Sequence, residues 1–186
     1  MIGSMLSALM LAASPPVPAR NAVPADPVLR TLLHGDVAQA SGDHAALLDT
    51  AQLLATLGAT PLEGQPDLAA VWTQEANVHG VKRAALAFRG RALGPAYRRG
   101  SLVPGGTLSM FQLFLGGQRA RISIAPAGDN SKLSIRVQGQ SGETLCDKPV
   151  ETAQADCAWM PTFTDRYTIT IENGGEAAAS FFLVLR

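Results

Sequence analysis

The 186-residue chain is 47% hydrophobic and 16% charged, which places it among globular proteins and far from the charge-rich, apolar-poor composition of disordered chains. Fifteen basic and fifteen acidic residues give a formal net charge of zero, so no global charge draws it to nucleic acid. The length suits one ordinary domain or two small ones, and the patterning favours two small units.

Residues 1–22 hold an apolar run at positions 5–13, followed by Ser14-Pro15-Pro16-Val17-Pro18-Ala19. This is the pattern of a signal peptide and proline-rich spacer: the run is too short to span a bilayer, and Val17-Pro18-Ala19 and Arg20-Asn21-Ala22 both offer a small residue for cleavage. The leading residues lack the usual Lys or Arg. The expected location is periplasmic or secreted, with no transmembrane span in the mature chain.

Residues 23–80 are expected to form a helical unit of three short helices. Asp26-Pro27 sets an N-cap acceptor before a proline whose fixed φ suits the first turn, and Val28, Leu29, Leu32, Leu33 and Val37 recur at helical spacing. Ser41-Gly42-Asp43 is a break. A second stripe, Leu47, Leu48, Ala51, Leu54 and Ala55, ends at Gly58 and Pro61. Asp67 caps a third helix that carries Leu68, Val71 and Trp72 and stops near Gly80. Residues 81–105, rich in Gly, Pro and Arg, are expected to be a basic linker with an irregular edge strand around 96–102.

From about Thr107 the period changes to two. Residues 119–124, 132–138, 166–172 and 180–185 alternate polar and apolar side chains, which predicts antiparallel strands with one buried and one wet face. Gly116-Gly117, the stretch 127–130, Gln140-Ser141-Gly142 and Asn173-Gly174-Gly175 are turn chemistry, so residues 106–186 are expected to fold as a two-sheet β-sandwich. Cys146 and Cys157 are the only cysteines; in an oxidising compartment they pair as one disulfide, the alternative being two reduced core thiols.

The order Phe111 or Phe114, Gly117-Gln118, Ile122, Ile124, Leu133, Ile135, Val137, Ser141-Gly142, Pro161, Tyr167-x-Ile169-x-Ile171-x-Asn173 and Phe181-x-Leu183-x-Leu185 resembles the bacterial pre-peptidase C-terminal domain family. The resemblance covers about residues 106–186 and implies a non-catalytic, jelly-roll-like accessory domain of secreted proteins, in a family that sometimes binds calcium or an extracellular polymer. Lys132 and Asp165-Arg166 depart from the family pattern, and Lys132 in place of a carboxylate speaks against calcium.

No catalytic set emerges. His34, His44 and His79 lie in the helical third, away from any glycine-flanked serine, and Gly139-Gln140-Ser141-Gly142 is a hairpin turn that misses the nucleophile-elbow pattern. The ten-residue spacing of His34 and His44 fits no zinc motif. Asp129-Asn130-Ser131, Asp147 and Asp156 are too few and too scattered for a hard cation. No metal and no cofactor are expected.

Charge is unevenly spread. Positions 26–75 carry seven acids (Asp26, Asp36, Asp43, Asp49, Glu63, Asp67, Glu75) against Arg30, whereas positions 77–100 carry six bases (Lys82, Arg83, Arg89, Arg91, Arg98, Arg99) and no acid. Arg89, Arg91, Arg98 and Arg99 are candidates for docking on the acidic helices or for meeting an anionic lipid or polymer, with ordinary solvated charge as the plain alternative. Trp159 and Tyr97 are candidate aromatic contacts, packing of Trp159 against the bridge being the competing reading. The resulting expectation is a non-enzymatic exported binding or accessory protein of the envelope, with an unknown envelope protein or polymer as partner. The alternatives are an accessory or substrate-binding subunit of a secreted hydrolase and a structural envelope component.

Overall fold

The computed structural model describes residues 23–82, 94–128, 132–150 and 153–186. The expected signal peptide, Arg89, Arg91 and the Asp129-Asn130-Ser131 turn lie outside these residues.

Three helices come first: α1 (Pro27–Ser41), α2 (His44–Thr56) and α3 (Leu68–Val78). Each starts at an aspartate whose carboxylate accepts backbone N–H groups that the first turn leaves without partners. Asp26 accepts from Val28 and Leu29 at 2.8 and 3.2 Å, Asp43 from Ala46 at 3.0 Å, and Asp67 from Ala69 and Ala70 at 3.1 and 3.3 Å. Gly42 ends α1 in the left-handed region at φ 70°, which a residue with a Cβ adopts only under strain.

Among the described residues nine strands follow or interleave: β1 (Thr60–Pro61), β2 (Ala96–Leu102), β3 (Thr107–Phe114), β4 (Ala120–Pro126), β5 (Leu133–Gln138), β6 (Thr144–Pro149), β7 (Ala155–Trp159), β8 (Asp165–Asn173) and β9 (Ala179–Leu185). They form a five-stranded sheet A in the order β1-β2-β9-β4-β7 and a four-stranded sheet B in the order β3-β8-β5-β6. Every pairing is antiparallel except β1 with β2. From β2 onward the chain changes sheets at every connection but β5–β6, giving the jelly-roll-like sandwich expected from the sequence.

Two apolar clusters hold three layers together. Between the sheets lie Ile122 and Ile124 of β4, Leu133, Ile135 and Val137 of β5, Ile169 and Ile171 of β8, and Phe181, Leu183 and Leu185 of β9. On the other face of sheet A, Tyr97, Ala125, Phe182 and Val184 pack with Leu29, Leu32, Leu47, Leu54 and Trp72 of the helices. This corrects the expectation of one wet face for β4 and β9, whereas β5 and β8 alternate as expected. β9 is buried from Phe181 to Leu185 because helices cover the side that a two-layer sandwich would leave in water.

The stretch 96–102 is also more regular than expected. β2 pairs with β9 over seven consecutive residues, from Ala96 opposite Leu185 to Leu102 opposite Ala179, and β1 from the helical segment adds to its other side. Gly100 faces the Phe181 ring, where an added Cβ would lie 2.4 Å from a ring carbon.

Candidate functional site

Sheet B has one face in the core, and among the described residues no helix covers the other. Along β3 the even positions Leu108, Met110 and Phe114 turn inward, and Ser109, Phe111 and Leu113 turn outward. Phe111 stands in register with Thr168 of β8, which in turn is opposite Gln138 of β5. β3 is also terminal in its sheet, so it pairs with β8 on one side only. At its end, Leu115 and Gly116 run beside the β7–β8 connection: Gly116 N–H donates to Thr164 Oγ1 at 3.0 Å and Gly117 N–H to Pro161 O at 2.8 Å. Phe111, Leu113 and Leu115 from one segment and Met160 and Phe163 from the other therefore expose large apolar side chains at the same end of the sandwich. Phe111 and Phe163 are 73% and 77% exposed.

On the outer face beside this patch, exposed Arg166 stands opposite Leu113. Arg136 pairs with Asp147 at 2.8 Å and approaches Glu172 at 3.9 Å, so the Asp147 carboxylate already faces a guanidinium. Asp156 is engaged as well, by Arg121 at 3.0 Å, Ser123 Oγ at 2.5 Å and Gln154 Nε2 at 2.6 Å. Burial pushes the Asp156 carboxyl up, but these hydrogen bonds outweigh it and hold it below the usual carboxylate range. Gln154 links this group onward by accepting from Asp26 N–H at 3.0 Å, and the buried Asp26 carboxylate is paired with Arg186. The network ties the start of α1 to β4, β7 and the last residue of the chain. Among the described residues no group of three or more His, Cys, Asp or Glu converges as metal ligands would. No helix among them is long and apolar enough to cross a membrane.

The sequence-predicted site residues fall in different places. Cys146 and Cys157 form a disulfide with Cα atoms 5.8 Å apart, joining β6 at the edge of sheet B to β7 at the edge of sheet A. Arg99 forms an ion pair with Asp36 of α1 and lies 5.8 Å from the Phe182 ring centroid, within cation–π range. Its neighbour Arg98, one residue away in a strand, points to the opposite face, and its buried Nε has no hydrogen-bond partner among the described residues.

Neither aromatic candidate offers a free ring face. Tyr97 is 1% exposed and its hydroxyl accepts Leu68 N–H at 2.8 Å, fastening α3 to β2. Burial pushes its phenol up to about 12. Trp159 packs edge-on to Phe114 with centroids 4.9 Å apart and lies 5.1 Å from the Tyr167 ring, part of an aromatic cluster beside the sandwich core. His44 and His79, which had no assigned role, stack at 3.8 Å.

The apolar patch was not singled out from the sequence, although a signal exists. In the run 110–115, Met-Phe-Gln-Leu-Phe-Leu, apolar residues occupy both strand faces, which an edge strand with a wet outer face has no structural need for.

No protein-family model matches the chain, and no curated protein sequence matches it. Solved structures do show similar folds, at low identity. The mitogen derived from Yersinia pseudotuberculosis is 10% identical with a TM-score of 0.41, over 50% of this chain and 84% of that one. The pre-peptidase C-terminal domain of a Bacillus anthracis collagenase is 13% identical with a TM-score of 0.41, over 48% and 87%. The Aeromonas hydrophila periplasmic inhibitor of g-type lysozyme is 14% identical with a TM-score of 0.37, over 49% and 83%. The chain's own two packed sheets define a β-sandwich, here carrying a helical layer on one sheet.

Proposed function

We propose that the protein is an exported, non-enzymatic binding module that docks an extracytoplasmic protein partner on the Phe111–Phe163 end of sheet B. The observation that carries this reading is the exposure of five large apolar side chains on two adjacent segments. Contiguous exposed apolar surface on a soluble fold marks an interaction site, and aromatic and Met side chains are enriched at protein interfaces. A protein partner fits better than a sugar polymer because Leu113, Leu115 and Met160 have aliphatic or thioether surfaces that offer hydroxyls no donor and at most a weak sulfur acceptor. The one-sided pairing of β3 adds main-chain donors and acceptors for a partner strand.

Export is supported by the apolar run at 5–13 and by a disulfide of the kind that oxidising compartments preserve. Kinship with pre-peptidase C-terminal domains belongs to the same proposal, and service as an accessory to a secreted hydrolase is its alternative form. The alternating residues behind it, Tyr167, Ile169, Ile171, Phe181, Leu183 and Leu185, all face the sandwich core.

The test is a photocrosslinking residue placed at Phe111 or Phe163 in the exporting cell, with exposed Val78 of α3 as control. The captured protein is then purified and titrated against wild type and F111S/F163S. A partner taken at 111 and 163 but not at 78, and bound at least tenfold more weakly by the double variant at unchanged melting temperature, is expected. Equal labelling at all three positions, no labelling, or capture of a second copy of this chain would overturn the reading.

A further inference from the structure

A groove of about 1020 Å³ opens on the opposite side of the molecule, in the helical layer. One wall is a stripe of α1: Arg30, Leu33, His34 and Val37, spaced three and four residues apart and therefore on one helical face. Facing it are Leu53 and Leu57 at the end of α2, while Val23, Pro24 and the segment Pro126–Gly128 complete the rim. The volume is at the upper end of the ~300–1,000 Å³ usual for small-molecule pockets, which are likewise mostly apolar with a few placed polar groups.

Two features indicate what would occupy it. Val37 and Leu53 leave 65% and 49% of their surface exposed, although helix positions facing solvent are ordinarily polar. The charge is also one-sided. Asp36, the acid on the rim, is paired with Arg99, whereas the Arg30 guanidinium has no ion pair among the described residues. His34, one turn further along α1, has an imidazole N–H to donate beside it.

We infer that this groove binds a single-chain amphiphile with an anionic head, a fatty carboxylate. The alkyl chain lies along Leu33, Val37, Leu53 and Leu57, and the carboxylate sits on Arg30, whose planar guanidinium can engage both oxygens. The site is separate from the surface proposed for the protein partner, so either can stand without the other.

The probe is laurate, titrated calorimetrically into the full chain below its micelle concentration, with dodecanol as the uncharged match. One molecule bound per chain is expected. Arg30→Gln should weaken laurate at least tenfold and leave dodecanol unchanged, and Val37→Glu should weaken both. These positions are solvent-exposed, and a thermal melt of each variant verifies its fold. Absence of binding, uptake of many molecules per chain, or an Arg30→Gln effect equal for the two ligands would overturn the inference.

Discussion

Sheet A and sheet B are built from similar strands but meet different surroundings, and the difference separates framework from surface. Sheet A is covered on both faces, by helices and by sheet B, and its central strand β9 is buried along Phe181–Leu185. Sheet B is covered on one face only, and its outer side ends in an apolar patch that no part of the described chain covers. Large side chains in sheet A therefore answer to the fold, whereas the outward ones on β3 are free to answer to a partner.

The widest contrast comes from truncating a phenylalanine in each sheet. Phe182→Ala removes a ring from the helix–sheet cluster and should cost about 3–5 kcal/mol in a urea melt, while Phe111→Ala should stay within about 0.5 kcal/mol. Comparable losses at the two positions would erase the distinction.

The disulfide joins the two sheets at their edges, so replacing Cys146 and Cys157 by serine should cost about 3 kcal/mol. For a chain of this length that is about 6–12 °C in melting temperature. An unchanged melt would mean that the β6–β7 edges need no staple.

Tyr97 links the helical layer to sheet A through the Leu68 N–H. Tyr97→Phe leaves that buried donor unsatisfied and should cost about 1–3 kcal/mol. The same residue gives an alkaline signature. Burial raises its phenol from 10.0 to about 12, so the folded state holds it neutral where the unfolded chain ionises. The associated stability is present below pH 10 and is lost as pH rises from 10 toward 12. Tyr97→Phe should flatten that part of the stability–pH curve, and a curve of unchanged steepness would assign the loss to other groups.

The smallest effect is expected at Arg99, whose ion pair with Asp36 is 43% exposed on the arginine side. Arg99→Ala should cost about 0.2–1 kcal/mol, less in high salt, and speed proteolysis between the helices and β2 only slightly.

The helices were legible because their signals are local. Asp26, Asp43 and Asp67 each stand next to the first turn that they cap, and Gly42 marks a stop. The alternating strands β4, β5, β8 and β9 were legible for the same reason, since period two needs only neighbours in sequence. β6 was not, because Thr-Leu-Cys-Asp-Lys-Pro neither alternates nor favours strand at its proline, and β7, Ala-Asp-Cys-Ala-Trp, is short and built on small residues. β1 is two residues inside a stretch that looks like pure connection.

The candidate surface was harder to foresee than the fold. Phe111 and Phe163 are 52 positions apart, and only the pairing of Phe114 with Asp165 brings their segments to one end of the sandwich. The arginines show the same dependence on tertiary placement. Arg98 and Arg99 are identical and adjacent, yet the strand period sends one toward the sandwich interior and the other to Asp36. The network of Asp26, Gln154, Asp156 and Arg186 joins residues up to 160 positions apart, and nothing in local spacing announces it.

Hydrogen exchange of the protein alone and with its crosslink-identified partner tests the division between framework and recognition surface most directly. Added protection is predicted in residues 107–117 and 160–165, with the helices and β9 unchanged. Protection appearing on the helical layer or along sheet A, with 107–117 unaffected, would contradict it.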